Sequence, residues 1–205
     1  MINVKRKSTE SEILVSIAPP PIADNYREKI NTPIPFLSHM IEQLVYRWGI
    51  NATVSVKLDK FNLNHVICED LGQAFGKAVL EYLKRQPGAL SFGDSFGIID
   101  EAKAQALVSF EDRSNFFFSS KVEIPHFAET MLSEDLKVFL DGFAQGARST
   151  LQIEVFSGEN SHHIWEAVFR ALGRALKNAF VTDPQRPDLT AGVAGKITYE
   201  VTEEV

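Results

Sequence analysis

An α+β fold made of two tandem, similar halves is predicted by three observations. The 205-residue chain alternates strand-like and helix-like segments in the same order twice. Two stretches, 64–83 and 161–180, are built alike. Shifting the chain by 97 residues superposes His65 on His162, Glu69 on Glu166, Ala74 on Ala171, Gly76 on Gly173 and Ala78 on Ala175. Strands interleaved with helices, and a self-similar period, point to helices layered on sheets by internal duplication. The halves divide as 1–95 and 96–205, together forming one compact unit.

The elements follow in order. "EILVSIA" (12–18) places Ile13, Val15 and Ile17 on one side of a strand. "APPPIADN" (18–25) is a turn, because proline fixes φ and removes a donor, and a second strand is expected near 26–32. "PFLSHMIEQLVYRWG" (35–49) spaces Phe36, Met40 and Leu44 by four and stops at Gly49, a helix. "INATVSVKL" (50–58) alternates like a half-buried strand. A helix follows over about 65–84, then a glycine-rich stretch, "KRQPGALSFGDSFG", expected to be a loop. In the second half, 102–111 and 114–124 read as strands and 133–148 as a helix with Ser133 at its N-cap. Residues 149–156 form a strand, and the helix of 161–180 closes the unit. Small residues at matched positions of the two long helices predict that these two helices approach each other closely.

Composition narrows the function. A net charge of −6 argues against a nucleic-acid protein, which needs a basic face. No run of about 18 apolar residues predicts a membrane span. The N-terminal "MINVKRKSTESEI" has no apolar run behind its basic residues and is not a secretory signal. Cys68 is the single cysteine, which excludes an internal disulfide and suits a reducing, cytoplasmic location.

The repeated helices carry the chemistry. Residues four apart share a helix face, so His162 and Glu166 can hold one ion, while His163 points about 100° away. His65 and Glu69 form the same pair in the first half, with Val66 standing where His163 stands in the second. Imidazole with carboxylate suits Mn, Fe or Zn. His39 is a further candidate ligand, and His126 lies outside the group. A lone histidine near a helix start is more often a cap or surface residue, but two such helices at constant offset argue for a metal site. Tyr46, Trp48 and Phe116–Phe118 are most simply core or subunit contacts, and the acidic C-terminus a solvated tail.

The ordered motifs "FLSHM", "NHVICEDLG", "DEA" and "HHIWEAVFRALGRAL" resemble imidazoleglycerol-phosphate dehydratase, the manganese-dependent lyase of histidine biosynthesis, from about residue 6 to 197. The resemblance implies two βαβ-type halves of the ribosomal protein S5 domain 2-like kind. It also implies a small phosphorylated imidazole substrate and a homo-oligomer, a trimer-based shell with its metals between subunits. Carried over by position, His39, His65, Glu69, His162, His163 and Glu166 match metal ligands. Glu10 matches a glutamate near the active site, and Glu10, Glu69 and Glu166 are the candidate catalytic carboxylates. Arg113 and Lys196 match groups that hold the substrate phosphate.

Several positions depart from the family pattern. Val66, Val138 and Gln152 stand where it has histidines, Ser38 replaces an aspartate, and Leu63 and Asn64 replace acidic residues. Ser91 replaces an arginine that contacts phosphate. Helix geometry would join His65 and Glu69 with His163, and His162 and Glu166 with the residue at 66. If His39 joins the first set, one four-ligand site survives; if it joins the second, each keeps three. The expected cofactor is Mn²⁺ or another divalent transition metal, with one ion per subunit rather than two as an open alternative. The resemblance favours a dehydratase with altered metal binding. Its rivals are a degenerate homologue acting as a binding or assembly subunit, and a metalloenzyme with a different substrate.

Overall fold

The computed structural model describes all residues except 61, 196, 199, 201 and 203–205. The first half runs β1 (Ile2–Lys7), β2 (Ser11–Ala18), a 3₁₀ turn (Tyr26–Lys29), β3 (Ile30–Asn31), α1 (Pro35–Trp48), β4 (Asn51–Leu58) and α2 (Asn64–Leu83). The second runs β5 (Phe92–Ile99), β6 (Ala102–Ser109), β7 (Asn115–Ser120), a small hairpin of β8 (Phe127–Ala128) and β9 (Met131–Leu132), α3 (Ser133–Ala147), β10 (Thr150–Ser157) and α4 (Ser161–Ala179).

The sheets have the same topology. Their orders are β1-β2-β4-β3 and β5-β6-β10-β7. In each, the first two pairings are antiparallel and the last is parallel, closed by a βαβ crossover through α1 or α3. The duplication read from a 97-residue offset is therefore a duplication of fold.

Four strands escape the periodicity argument: the two-residue β8 and β9 are too short to show a period, and β1 and β5 hide theirs. β1 buries Ile2 and half-buries Val4 while Lys5 and Lys7 face outward, and lysines on an edge strand mask its alternation. The stretch expected to be a glycine-rich loop contains β5. Gly93 and Gly97 lie four apart on the face turned to α4, where a side-chain carbon would collide with the carbonyls of Ala175 and Ala167. These glycines serve close strand–helix approach instead of a turn. The strand expected near 26–32 is a 3₁₀ turn followed by two residues of β3, paired through Ile30 and Val54.

Two further expectations are corrected. Leu132, not Ser133, occupies the N-cap of α3, and the Ser133 hydroxyl donates to the Pro125 carbonyl at 2.5 Å. The small residues of α2 and α4 do not bring those two helices together. Gly72 and Gly76 of α2 lie against the backbone of α3 at Phe139 and Phe143, and Gly142 and Gly146 of α3 answer against Glu69 and Gln73. Gly173 of α4 lies against Leu44 of α1. Each long helix thus packs on its own half's sheet and on the shorter helix of the other half. A continuous core including Phe75, Phe139, Phe143, Trp165 and Phe169 runs through both halves. The crossed packing places the start of α4 beside α1, where the candidate metal centre lies.

Candidate metal centre

His39 reaches this place from the second turn of α1, a helix begun by Pro35, whose missing N–H costs nothing there. Ser38 ties the approach to the helix: its hydroxyl accepts from Thr32 N–H at 3.1 Å and pairs with the Thr32 hydroxyl at 2.9 Å. On α4, the Asn160 side chain caps the helix by accepting from the backbone N–H of His162 at 2.9 Å. One turn later Glu166 shares a face with His162.

Three donors converge. His39 Nε2 lies 3.4 Å and His162 Nε2 3.3 Å from Glu166 Oε2. One ligand atom from each residue falls within 4.8 Å of the others, close enough for a single ion. The His39 and His162 rings are 5.3 Å apart, and Phe36 stands against His162 at 5.1 Å. Within one chain, His39 therefore lies with the second-half pair and not with His65 and Glu69.

The other ring nitrogens face carboxylates. His162 Nδ1 is 2.8 Å from Glu129 Oε1, and His39 Nδ1 is 3.6 Å from Glu42 Oε2, which Arg27 also contacts. A carboxylate within hydrogen-bond reach of Nδ1, as Glu129 is of His162, favours the tautomer that carries the proton there and leaves the Nε2 lone pair for a cation. Glu129 comes from the β8–β9 turn, where its backbone takes a left-handed φ of 52°. Glu166 is only 5% exposed, and its Oε1 is paired with Arg170.

His163 points elsewhere, as helix geometry predicts. Its Nδ1 meets Glu101 Oε2 at 2.8 Å, and its Nε2 lies 3.6 Å from Asp100. These three residues form a second group within 4.8 Å. Glu101 also accepts from the backbone N–H of Asn160 at 2.9 Å and of Glu159 at 3.1 Å. The Asn160 N–H, with His163 and the Glu159 N–H, holds the Glu101 carboxyl down at about 2. Glu101 in turn raises the His163 imidazole above its ordinary value.

Within one chain, His65 and Glu69 do not meet His163. They form a pair at 3.8 Å, with side chains 64% and 44% exposed. Glu10 shares a cleft of about 290 Å³ with Val66, Asp59, Lys60 and Leu63, so Val66 presents methyl groups there. Arg113 and Glu111 line a separate groove of about 610 Å³ with the 189–194 segment, which none of the histidines line. Lys196 lies outside the described residues. Val138 packs against the core, Gln152 is exposed, and buried Ser91 donates to the Ala89 carbonyl.

Sequence reasoning missed Glu42, Glu129, Asn160 and Arg170, and it quoted Asp100 and Glu101 in the motif "DEA" without giving them a role. Glu42 and Arg170 carried a readable signal, at helical spacings of three from His39 and four from Glu166. Glu129 carried none, being 33 residues from His162 with a hairpin turn bringing it over. Among the described residues, no helix is long and apolar enough to cross a membrane.

Comparison with known proteins agrees with this frame. The family model for imidazoleglycerol-phosphate dehydratase matches residues 32–176. The imidazoleglycerol-phosphate dehydratase of Geobacillus sp. (strain WCH70) is 34% identical over 186 residues, covering 89% of this chain and 92% of its own. That of Neisseria gonorrhoeae is 30% identical over 200 residues, covering 96% of this chain, and this chain spans 64% of the Neisseria protein's length. The crystal structure of the Pyrococcus furiosus protein superposes with a TM-score of 0.77 at 28% identity, over 94% of this chain and 99% of that one. The chain belongs to the imidazoleglycerol-phosphate dehydratase family.

Proposed function

We propose that this chain is a metal-dependent hydro-lyase that dehydrates imidazoleglycerol phosphate to imidazole acetol phosphate in histidine biosynthesis, with metal binding altered from the family pattern. The observation that carries this reading is the convergence of His39, His162 and Glu166, with a carboxylate facing Nδ1 of each imidazole. Two imidazoles and a buried carboxylate form a donor set that fits Mn²⁺ or another divalent transition metal. Three donors from one chain suit one ion in this centre.

A bound divalent ion would supply Lewis-acid polarisation and a template for the substrate imidazole. The chain's own groups do the rest. His39, His162 and Glu166 would hold the ion, and Phe36 screens one side of the His162 ring. Glu10 and Glu69 are the carboxylates assigned to moving protons, from the substrate carbon and to the departing hydroxyl. Arg113, at its groove with the 189–194 segment, holds the phosphate by charge-assisted hydrogen bonds, with Lys196 assigned the same role.

A homo-oligomer is part of the proposal. The exposed His65–Glu69 pair can be completed by His163 of a second copy. The free face of the second sheet exposes Phe92, Phe96, Ile98 and Phe117, an apolar surface suited to a subunit contact. A cytoplasmic location follows from the single buried thiol and the assigned biosynthetic role. A second reading, a metalloenzyme of this family with a different substrate, is favoured by Val66, which makes one wall of the Glu10 cleft apolar.

The deciding experiment adds Mn²⁺ to metal-free protein, counts bound metal per chain and follows imidazoleglycerol phosphate turnover, with His39→Ala as control. Metal uptake with turnover, both lost in His39→Ala, is expected. Uptake without turnover would favour the changed substrate. Absence of both would leave a degenerate binding or assembly subunit.

A further inference from the structure

The carboxylate of Glu166 is nearly buried, and a carboxylate in that position is costly to keep ionised without a partner. Its partner is Arg170, one turn further along the same helix, whose Nη2 pairs with Oε1. Arg170 is itself held from two other elements. Its Nε donates to Gln43 Oε1 on α1 at 3.2 Å, and its Nη1 donates to the Ile98 carbonyl on β5 at 2.9 Å. All three guanidinium nitrogens are engaged in different directions, which fixes the plane of the fork.

The two oxygens of Glu166 are thereby divided. Oε1 belongs to Arg170, and Oε2 faces His39 and His162 at 3.4 and 3.3 Å. A carboxylate free to turn about its last torsion can offer a cation either oxygen or both. We infer that Arg170 is a positioning residue that restricts Glu166 to presenting Oε2 alone to a bound metal. This inference rests on the proposed metal centre of His39, His162 and Glu166.

The duplicated half provides an internal contrast. The 97-residue offset that places Glu69 on Glu166 places Gln73 on Arg170. Gln73 reaches Glu69 Oε1 only at 3.5 Å and also accepts from Arg6 Nε at 3.1 Å. Glu69 is half-exposed, while Glu166 is sealed. One copy of the His/Glu pair is clamped by a charged, three-way-anchored fork, and the other rests on a neutral amide.

The test uses the full chain with Co²⁺ as the probe, because its visible absorption responds to coordination number. Wild type, Arg170→Met, Arg170→Lys and Gln43→Ala are compared for Co²⁺ affinity by titration and for the spectrum of the bound ion. Arg170→Met is expected to lose about ten- to a hundredfold in affinity, as for other residues that orient metal ligands, and to change the spectrum. Arg170→Lys keeps the charge without the fork and is expected to recover affinity only in part. Gln43→Ala loosens the fork and shifts both readouts in the same direction by less; it decides the matter if Arg170→Met does not fold. Unchanged affinity and spectrum in Arg170→Met and Gln43→Ala, or complete rescue by lysine, overturns the inference while leaving the metal centre standing. A wild type that takes up no Co²⁺ overturns both.

Discussion

Nε2 of His39 on α1 and Oε2 of Glu166 on α4 face each other at 3.4 Å, although 127 residues separate them. The contact exists because Gly173 lets α4 approach the backbone of α1 at Leu44. One donor of the candidate centre therefore comes from the first half and two from the second. The halves are mechanically joined at the place where the chemistry is assigned, so packing of these helices and geometry of the site cannot vary independently.

Glu129 faces His162 Nδ1 from a solvent-facing turn, so its contribution can be separated from folding. Glu129→Gln keeps a hydrogen-bond acceptor but removes the charge that faces and orients the imidazole through Nδ1. Metal affinity is expected to fall about tenfold or more. The thermal unfolding midpoint of the metal-free protein is expected to stay put, since the side chain is largely exposed. Calorimetric Mn²⁺ titration beside a melting curve checks both; unchanged affinity removes Glu129 from the account.

β5 lies against α4 through Gly93 and Gly97, and its glycines are the reason it resembles a loop in sequence. Gly97→Val would push a branched side chain into the Ala167 carbonyl. Backbone cannot move aside as a side chain can, so a loss of about 1–3 kcal/mol or more is expected in urea unfolding. Val is otherwise a better strand former than Gly, so a stabilised variant would show that the strand does not sit this close to the helix.

Asp135, in the first turn of α3, is 5% exposed. Burial raises its carboxyl above the ordinary aspartate value, while the nearby His65 imidazole and the Leu132 N–H pull it partly back. Because the folded-state value is the higher one, the unfolded chain releases this proton first as pH rises. Folding stability therefore falls as pH climbs from the ordinary aspartate value through the raised one, and stays lower above it. Asp135→Asn should melt higher than wild type at pH 7, with the difference closing towards pH 3. A constant difference across that range would mean that the carboxyl does not titrate in this way.

The four helices, most of the strands and the His/Glu pairs were legible in the sequence because they depend on periodicity within about twenty residues. A helix carrying His and Glu four apart must present them on one face wherever it packs. The 97-residue repeat likewise revealed the duplicated fold, since matched positions need no knowledge of contacts. The lysine-bearing β1 and the glycine-bearing β5 were not legible, because an edge exposed to solvent and a surface pressed on a helix both erase the usual alternation.

Only the tertiary structure decided where His39 goes, and it chose the second-half pair. It also decided that α2 packs on α3 and α4 on α1, although the small residues alone suggested that α2 meets α4. The carboxylates behind the imidazoles, and the arginine that divides the oxygens of Glu166, come from different elements brought together by that crossed packing. Helical spacing determines which face a ligand occupies. What stands opposite that face is a through-space fact, set by glycine-to-backbone approaches between halves that no local pattern encodes.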